Sequence, residues 1–265
     1  MANGDARLVG TAFFLGRAIE GTSRSFSYLV TAKHVIEGIR KKGVEKAFVR
    51  LNLDSGESGW LETNVTDWLY HPTDNSVDVA VLRAGVPEHC DHLLYPISLV
   101  VTPEIISKEQ IGLGTEVFLV GLFAHHSGLK KNIPIVRVGN ISAMPEELVE
   151  TRLGKIDAYL VEARSIGGLS GSPVFANLGL VRVHEGQLKF TSGGPIFYLL
   201  GLMHGHWDVG ISELDEAVVD TTGVQRVNMG IGIVVPVAKI IEVIRQLRIA
   251  EAEATHEDEV RRGVG

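Results

Sequence analysis

The sequence has 265 residues, 45% hydrophobic and 22% charged, enough apolar side chain to bury a substantial core and too much for a disordered tail. The net charge of −7, with basic residues spread along the chain, argues against nucleic acid as a partner. No window approaches the ~18 consecutive apolar residues of a membrane span. The opening MANGDARLVGTAFFLG carries Asp5 and too short an apolar run for a secretion signal, so the chain reads as cytoplasmic with no membrane partner. The single Cys90 cannot form an intramolecular disulfide and reads as an unreactive buried thiol.

From residue 7 to about 240, short runs of Val, Ile, Leu, Phe and Thr alternate with Gly, Asn, Asp, Ser and Pro, the texture of an all-β protein. In chain order, strands are expected at 8–16, 26–32, 46–53, 78–83, 116–121, 133–139, 157–163, 172–176, 196–203 and 230–235. Their number and closeness favour barrels or sandwiches over βαβ units. The stretch 84–114 lacks alternation and carries three prolines, so it reads as a connection with a boundary near 105. That divides the chain into units at 7–105, 106–235 and 236–265. After Pro236, Val237, Ile240, Ile241, Val243, Ile244 and Leu247 recur at helical spacing and predict an amphipathic helix. Residues 250–265 turn acidic and then basic, and read as a frayed helix end or solvated tail.

Three stretches place reactive side chains in contexts that suit acyl transfer. In Tyr28-Leu29-Val30-Thr31-Ala32-Lys33-His34-Val35 an apolar strand ends at an imidazole, a group able to take and return a proton near neutrality. In Asn75-Ser76-Val77-Asp78-Val79-Ala80-Val81-Leu82 a carboxylate enters an apolar strand, where it needs a hydrogen-bond partner. An imidazole N–H would satisfy it, and the carboxylate would in turn fix the imidazole's tautomer. Asp74 is the competing orienter, but its stretch His71-Pro72-Thr73-Asp74-Asn75 reads as an exposed turn. In Gly167-Gly168-Leu169-Ser170-Gly171-Ser172-Pro173 small residues surround a serine, a turn in which the amides of Gly168 and Ser170 are candidates to hold a developing oxyanion.

Together TAKH, DVAVL and GLSGSP resemble the chymotrypsin-like (trypsin-fold) serine peptidases over roughly residues 7–245. The separations of 44 residues from His34 to Asp78 and 92 from Asp78 to Ser170 suit that arrangement, and Gly201-Leu202-Met203-His204-Gly205 follows as the strand after the nucleophile. The resemblance implies two six-stranded antiparallel β barrels with a C-terminal helix, His34 and Asp78 in the first and Ser170 in the second. It implies His34 as general base and acid, Asp78 as its orienter, Ser170 as nucleophile and Gly168 and Ser170 as the oxyanion hole. No cofactor is implied. Leu169 stands where secreted members carry the acidic residue that binds the freed amino terminus, so activation by that ion pair is not expected. In turn style the chain looks more like the Deg-type and glutamyl-endopeptidase branches. Only 20 residues follow Arg245, too few for a PDZ domain.

For specificity the resemblance points to Arg164, Met203, His204 and His206 as substrate-binding residues. Arg164 either faces solvent or forms a cationic pocket floor that favours an acidic side chain. His204 and His206, with His125 and His126, also raise a metal pair. No cysteine or carboxylate accompanies them at zinc-site spacing, so no metal is expected. The expected function is an intracellular serine endopeptidase of a protein or peptide substrate, of narrow specificity or activated by a partner. The alternative is a latent or non-catalytic protease-fold interaction module.

Overall fold

The structure, a computed structural model, describes residues 7–151, 154–163, 168–184, 187–190, 194–210 and 226–246, together with Ile249, Glu253 and Glu257. The first part of the chain forms β1 (Phe13–Ala18), β2 (Ser25–Thr31), α1 (Lys33–Arg40), β3 (Lys46–Leu53), β4 (Ser58–Asn64), β5 (Ala80–Arg83), β6 (Cys90–Asp91) and β7 (Leu94–Pro96). After α2 (Pro103–Glu109) come β8 (Glu116–Leu122), β9 (Pro134–Ala143), β10 (Val149–Thr151), β11 (Gly154–Ile156), β12 (Tyr159–Glu162) and β13 (Pro173–Asn177). The chain then continues as β14 (Val181–His184), β15 (Gln187–Phe190), β16 (Phe197–Gly210), β17 (Arg226–Pro236) and α3 (Val237–Ile244).

The later strands close an antiparallel barrel in the order β12, β17, β16, β13, β8, β9. β8 shows why they do so. Its sequence EVFLVGL buries every second residue, so one face of the strand is committed to the interior. Leu119, Ile141, Val161, Val174, Leu200, Leu202 and Val235 supply that interior from all six strands. Leu15, Tyr28, Val30 and Val81 of the earlier strands belong to the same buried cluster, as do Val237, Ile240, Val243 and Ile244 of α3.

A second closed barrel is not formed among the described residues. The early strands make a four-stranded sheet, β5-β2-β1-β7, and a three-stranded sheet, β4-β3-β6. Strands β6 and β7 are only two and three residues long, with His89 at φ 60° just before one and Pro96 ending the other, so neither gives a ladder able to join the sheets. The sheets meet through side chains instead: Phe14, Leu29 and Ala80 of one pack with Ala47 of the other, and with Val65 and Trp68.

Two local readings are corrected. Within the expected connection, Thr102-Pro103-Glu104 starts α2. The Thr102 hydroxyl accepts the amide of Ile105 at 3.3 Å, Pro103 occupies the first turn and Gln110 closes the helix in the left-handed region. The tail is not wholly solvated either. Ile249 is buried, and the Glu253 carboxylate, 8% exposed, accepts from Arg17 at 2.6 Å and from the buried Tyr28 hydroxyl. Burial and this carboxylate push the Tyr28 hydroxyl above the usual phenol range. Glu257 binds the same guanidinium at 2.9 Å. Glu253→Ala strands the Tyr28 hydroxyl and is expected to cost about 2 kcal/mol, read as a lower urea midpoint at unchanged slope.

Candidate functional site

His34 arrives where β2 ends and α1 begins, so its imidazole sits in the first turn of a helix rather than at a free strand tip. Asp78 lies two residues before β5, which pairs with β2 through Thr31↔Ala80, and this pairing brings both residues to one end of the sheet. The carboxylate is 4% exposed and has three donors. Its Oδ1 accepts the His34 backbone N–H at 2.8 Å, and its Oδ2 accepts His34 Nδ1–H at 2.7 Å and His204 Nδ1–H at 2.5 Å. The loop before it is held by Lys33, whose buried ammonium donates to the Asn75 carbonyl at 2.8 Å and to Asn75 Oδ1 at 2.5 Å. Asp74 accepts from Ser76 in an exposed turn, and among the described hydrogen bonds it makes none to His34 or His204.

Burial works against a charged Asp78, but the hydrogen bonds from His204 and His34, aided by their charge, outweigh it and hold the carboxyl down to about 2. A carboxyl lowered on folding stabilises the fold above its unfolded value and loses that contribution as pH falls through the folded one. Between roughly pH 4 and pH 2 the native chain is therefore expected to lose about 2 kcal/mol that Asp78→Asn does not lose. Urea unfolding across that window measures it.

Ser170 lies in the turn before β13, between Gly168 at φ 99° and Gly171 at φ 84°, left-handed positions that favour glycine. Thr11, ahead of β1, ties this turn to the first part of the chain. Its amide donates to the Ser170 carbonyl at 2.8 Å, its hydroxyl donates to the Gly168 carbonyl at 2.8 Å, and its own carbonyl accepts the Thr31 hydroxyl at 2.7 Å. From the other side, Gly171 donates to the Met203 carbonyl at 2.7 Å and Met203 donates to the Ser172 carbonyl at 2.8 Å. The Ser170 hydroxyl is partly buried and donates to the His204 carbonyl at 3.3 Å; among the described hydrogen bonds it makes none to His34.

The residues assigned to substrate lie in different places. The Met203 side chain is fully buried and packs against Gly232, so it is a core residue whose backbone braces the serine turn. His204 is buried against Asp78, with its ring edge-on to that of His34 at 5.4 Å between centroids. His206 is half-buried on β16, and Arg164 lies outside the described residues. Thr11 and Lys33 carried no sequence signal beyond being a polar residue in an apolar run and the neighbour of His34.

One ring nitrogen each of His34 and His204 and an oxygen of Asp78 lie within 4.8 Å of one another, a donor set of the kind that binds zinc. Their N–O separations of 2.5 and 2.7 Å are hydrogen-bond lengths, shorter than the edge of about 3.3 Å in a tetrahedral site with 2.0–2.1 Å bonds. The arrangement is a hydrogen-bonded one. It orients an imidazole with Nδ1 protonated, which leaves the Nε2 lone pair of His34 as the acceptor for a proton. No described helix is long and apolar enough to cross a membrane.

No family model and no curated protein matches the chain. Among solved structures it is similar to the MamO protease domain from Magnetospirillum magneticum in its apo form, at 14% identity over 90% of this chain and 97% of that one, with a TM-score of 0.48. It is also similar to Rv3671c from M. tuberculosis, an inactive serine-to-alanine mutant, at 16% identity over 89% of this chain and 79% of that one, with a TM-score of 0.40.

Proposed function

We propose that the chain is a serine endopeptidase of the chymotrypsin-like kind, acting through an acyl-enzyme on Ser170. The observation that carries this reading is the buried Asp78 carboxylate, held charged and bonded to Nδ1 of His34 at 2.7 Å, a residue brought from 44 positions away. Ser170 Oγ attacks the carbonyl carbon and gives its proton to His34 Nε2. The tetrahedral oxyanion is held by the amides of Gly168 and Ser170. Collapse breaks the C–N bond, and His34 Nε2 returns the proton to the leaving amine. Water then repeats the sequence on the ester and frees Ser170. Before attack, the Ser170 hydroxyl leaves the His204 carbonyl and turns to His34.

That resting bond also favours a second reading. A serine parked on a backbone carbonyl suits an enzyme that engages its nucleophile only with a fitting peptide or an activating protein, or a module that has given up turnover. Arg164 and His206 are the residues we propose to meet the substrate.

With an activated ester such as p-nitrophenyl acetate, the peptidase reading expects a burst of one nitrophenolate per chain followed by slow turnover, abolished by Ser170→Ala. A linear release at the Ser170→Ala rate would leave only the module. Purified chain alone is expected to spare unfolded casein; rapid casein cleavage would rule out narrow or partner-dependent activity.

A further inference from the structure

We propose that Arg137 is a specificity-determining residue of this site: its guanidinium, half-buried beside the serine turn with no counter-charge among the described residues, receives the carboxylate of an aspartyl or glutamyl side chain next to the peptide bond that Ser170 attacks. This rests on the peptidase reading and deepens it by naming an acidic peptide as the substrate.

Arg137 lies on β9 between Val136 and Val138, both exposed, so alternation turns its side chain to the inner face of the barrel. There it registers with Leu119 of β8, whose other partner is Val174 of β13, the strand that leaves the serine turn. Two glycines on the same face locate it against that turn. Gly121, opposite Ile135, packs so closely on Leu169 and Ser172 that an added methyl group would overlap both. Gly139 packs as closely on Glu162 and Ala163, where β12 ends and the chain heads for Ser170. Arg137 stands between these two levels, one inward position or about 7 Å along the strand from Gly139. It is therefore flanked by both ends of the segment that carries the nucleophile.

Nothing there answers its charge. Nε is buried without a hydrogen-bond partner, and among the described residues no carboxylate pairs with the side chain. Its surroundings on the inner face, Leu119, Ile135, Ile141, Val161, Ala163 and Leu169, are apolar. The acids of the flanking strands, Glu116 of β8 and Glu162 of β12, both register with the exposed Asn140 and so stand on the outer face. A permanently charged group drawn partly out of water without a counter-ion costs stability, and a partner that arrives with the substrate accounts for its place beside the reacting serine. A carboxylate suits it, because the guanidinium offers two parallel N–H groups to the two oxygens. A glutaminyl side chain brings one neutral oxygen, and a lysyl side chain brings a like charge.

The deciding experiment compares acylation by the p-nitrophenyl esters of N-acetyl-Ala-Ala-Glu and N-acetyl-Ala-Ala-Gln, read as the ratio of the two rates on one preparation. The native chain is expected to favour the Glu ester by about 10- to 100-fold. Arg137→Met is expected to bring the ratio near unity, while its urea midpoint stays level or rises because an unpaired cation has left the barrel. Arg137→Lys, a point charge without the fork, is expected to keep a smaller preference for Glu. A native ratio near unity, a ratio unchanged in Arg137→Met, or a lowered midpoint in Arg137→Met, the mark of a structural arginine, overturns the proposal. If neither ester acylates the native chain, the peptidase reading fails by itself, and stability linked to binding decides the role of Arg137. The amide of N-acetyl-Ala-Ala-Glu raising the urea midpoint of the native chain but not of Arg137→Met, with no effect of the Gln amide, supports acidic-peptide binding at Arg137. No shift of the native midpoint by the Glu amide, or an equal shift in Arg137→Met, overturns it.

Discussion

His34→Ala is expected to slow acylation of Ser170 by about 10⁴-fold or more while leaving the fold nearly as stable as before. The loss in rate follows from the chemistry of the nucleophile, since a serine hydroxyl attacks poorly unless a base takes its proton as the new bond forms. The preserved stability follows from the geometry. The His34 side chain is partly exposed, its backbone N–H, which alanine keeps, is the group that donates to Asp78 Oδ1 at 2.8 Å, and His204 also donates to Oδ2. The buried carboxylate is therefore not orphaned. Burst kinetics with an activated ester, together with urea midpoints, separate the two effects; a parallel fall in both would mean that His34 is chiefly a structural residue.

The second large effect is on stability. Gly171 adopts φ 84°, and a methyl group added there would overlap the Thr11 carbonyl oxygen and the Thr31 hydroxyl. These atoms belong to the hydrogen-bonded seam that joins the serine turn to the first part of the chain and have no room to retreat. Gly171→Ala is expected to cost about 4 kcal/mol or more, a large share of the stability of an ordinary domain. Gly21→Ala is the control. Its φ is 78° but nothing lies within 4 Å of the added methyl, so only backbone strain of about 1 kcal/mol is expected. Thermal unfolding of the two variants compares overlap plus strain with strain alone.

The elements that were legible in the sequence are those with both a strand-like pattern and a buried face. β3 falls at the expected 46–53, and β8 and β13 lie within one residue of expectation because β8 alternates toward the core and β13 is a short run buried almost throughout. β4 was missed because SGWLETN is largely solvent-facing and offers no apolar run. α1 was missed because it begins two residues after β2, so its first apolar residues read as the continuation of a strand. In the site, the reactive side chains announced themselves by local context, an imidazole at a strand end, an acid in an apolar run and a serine among glycines. Thr11 did not, and His204 stood out only as a substrate-binding residue, because their pairings run across the fold. Thr11 meets residues about 160 positions away, and His204 meets a carboxylate 126 positions away. The docking of Glu253 on Arg17 and Tyr28 was hidden in the same way, since an acidic tail looks solvated until a partly exposed cation and a buried hydroxyl are found opposite it.

The account stands on Ser170 being an activated nucleophile beside His34. Intact mass after exposure to a fluorophosphonate, followed by peptide mapping, tests that directly. One adduct per native chain, mapped to Ser170 and absent from Ser170→Ala and His34→Ala, is the expected result. A native chain that stays unlabelled, or labels on a residue other than Ser170, would contradict the claim.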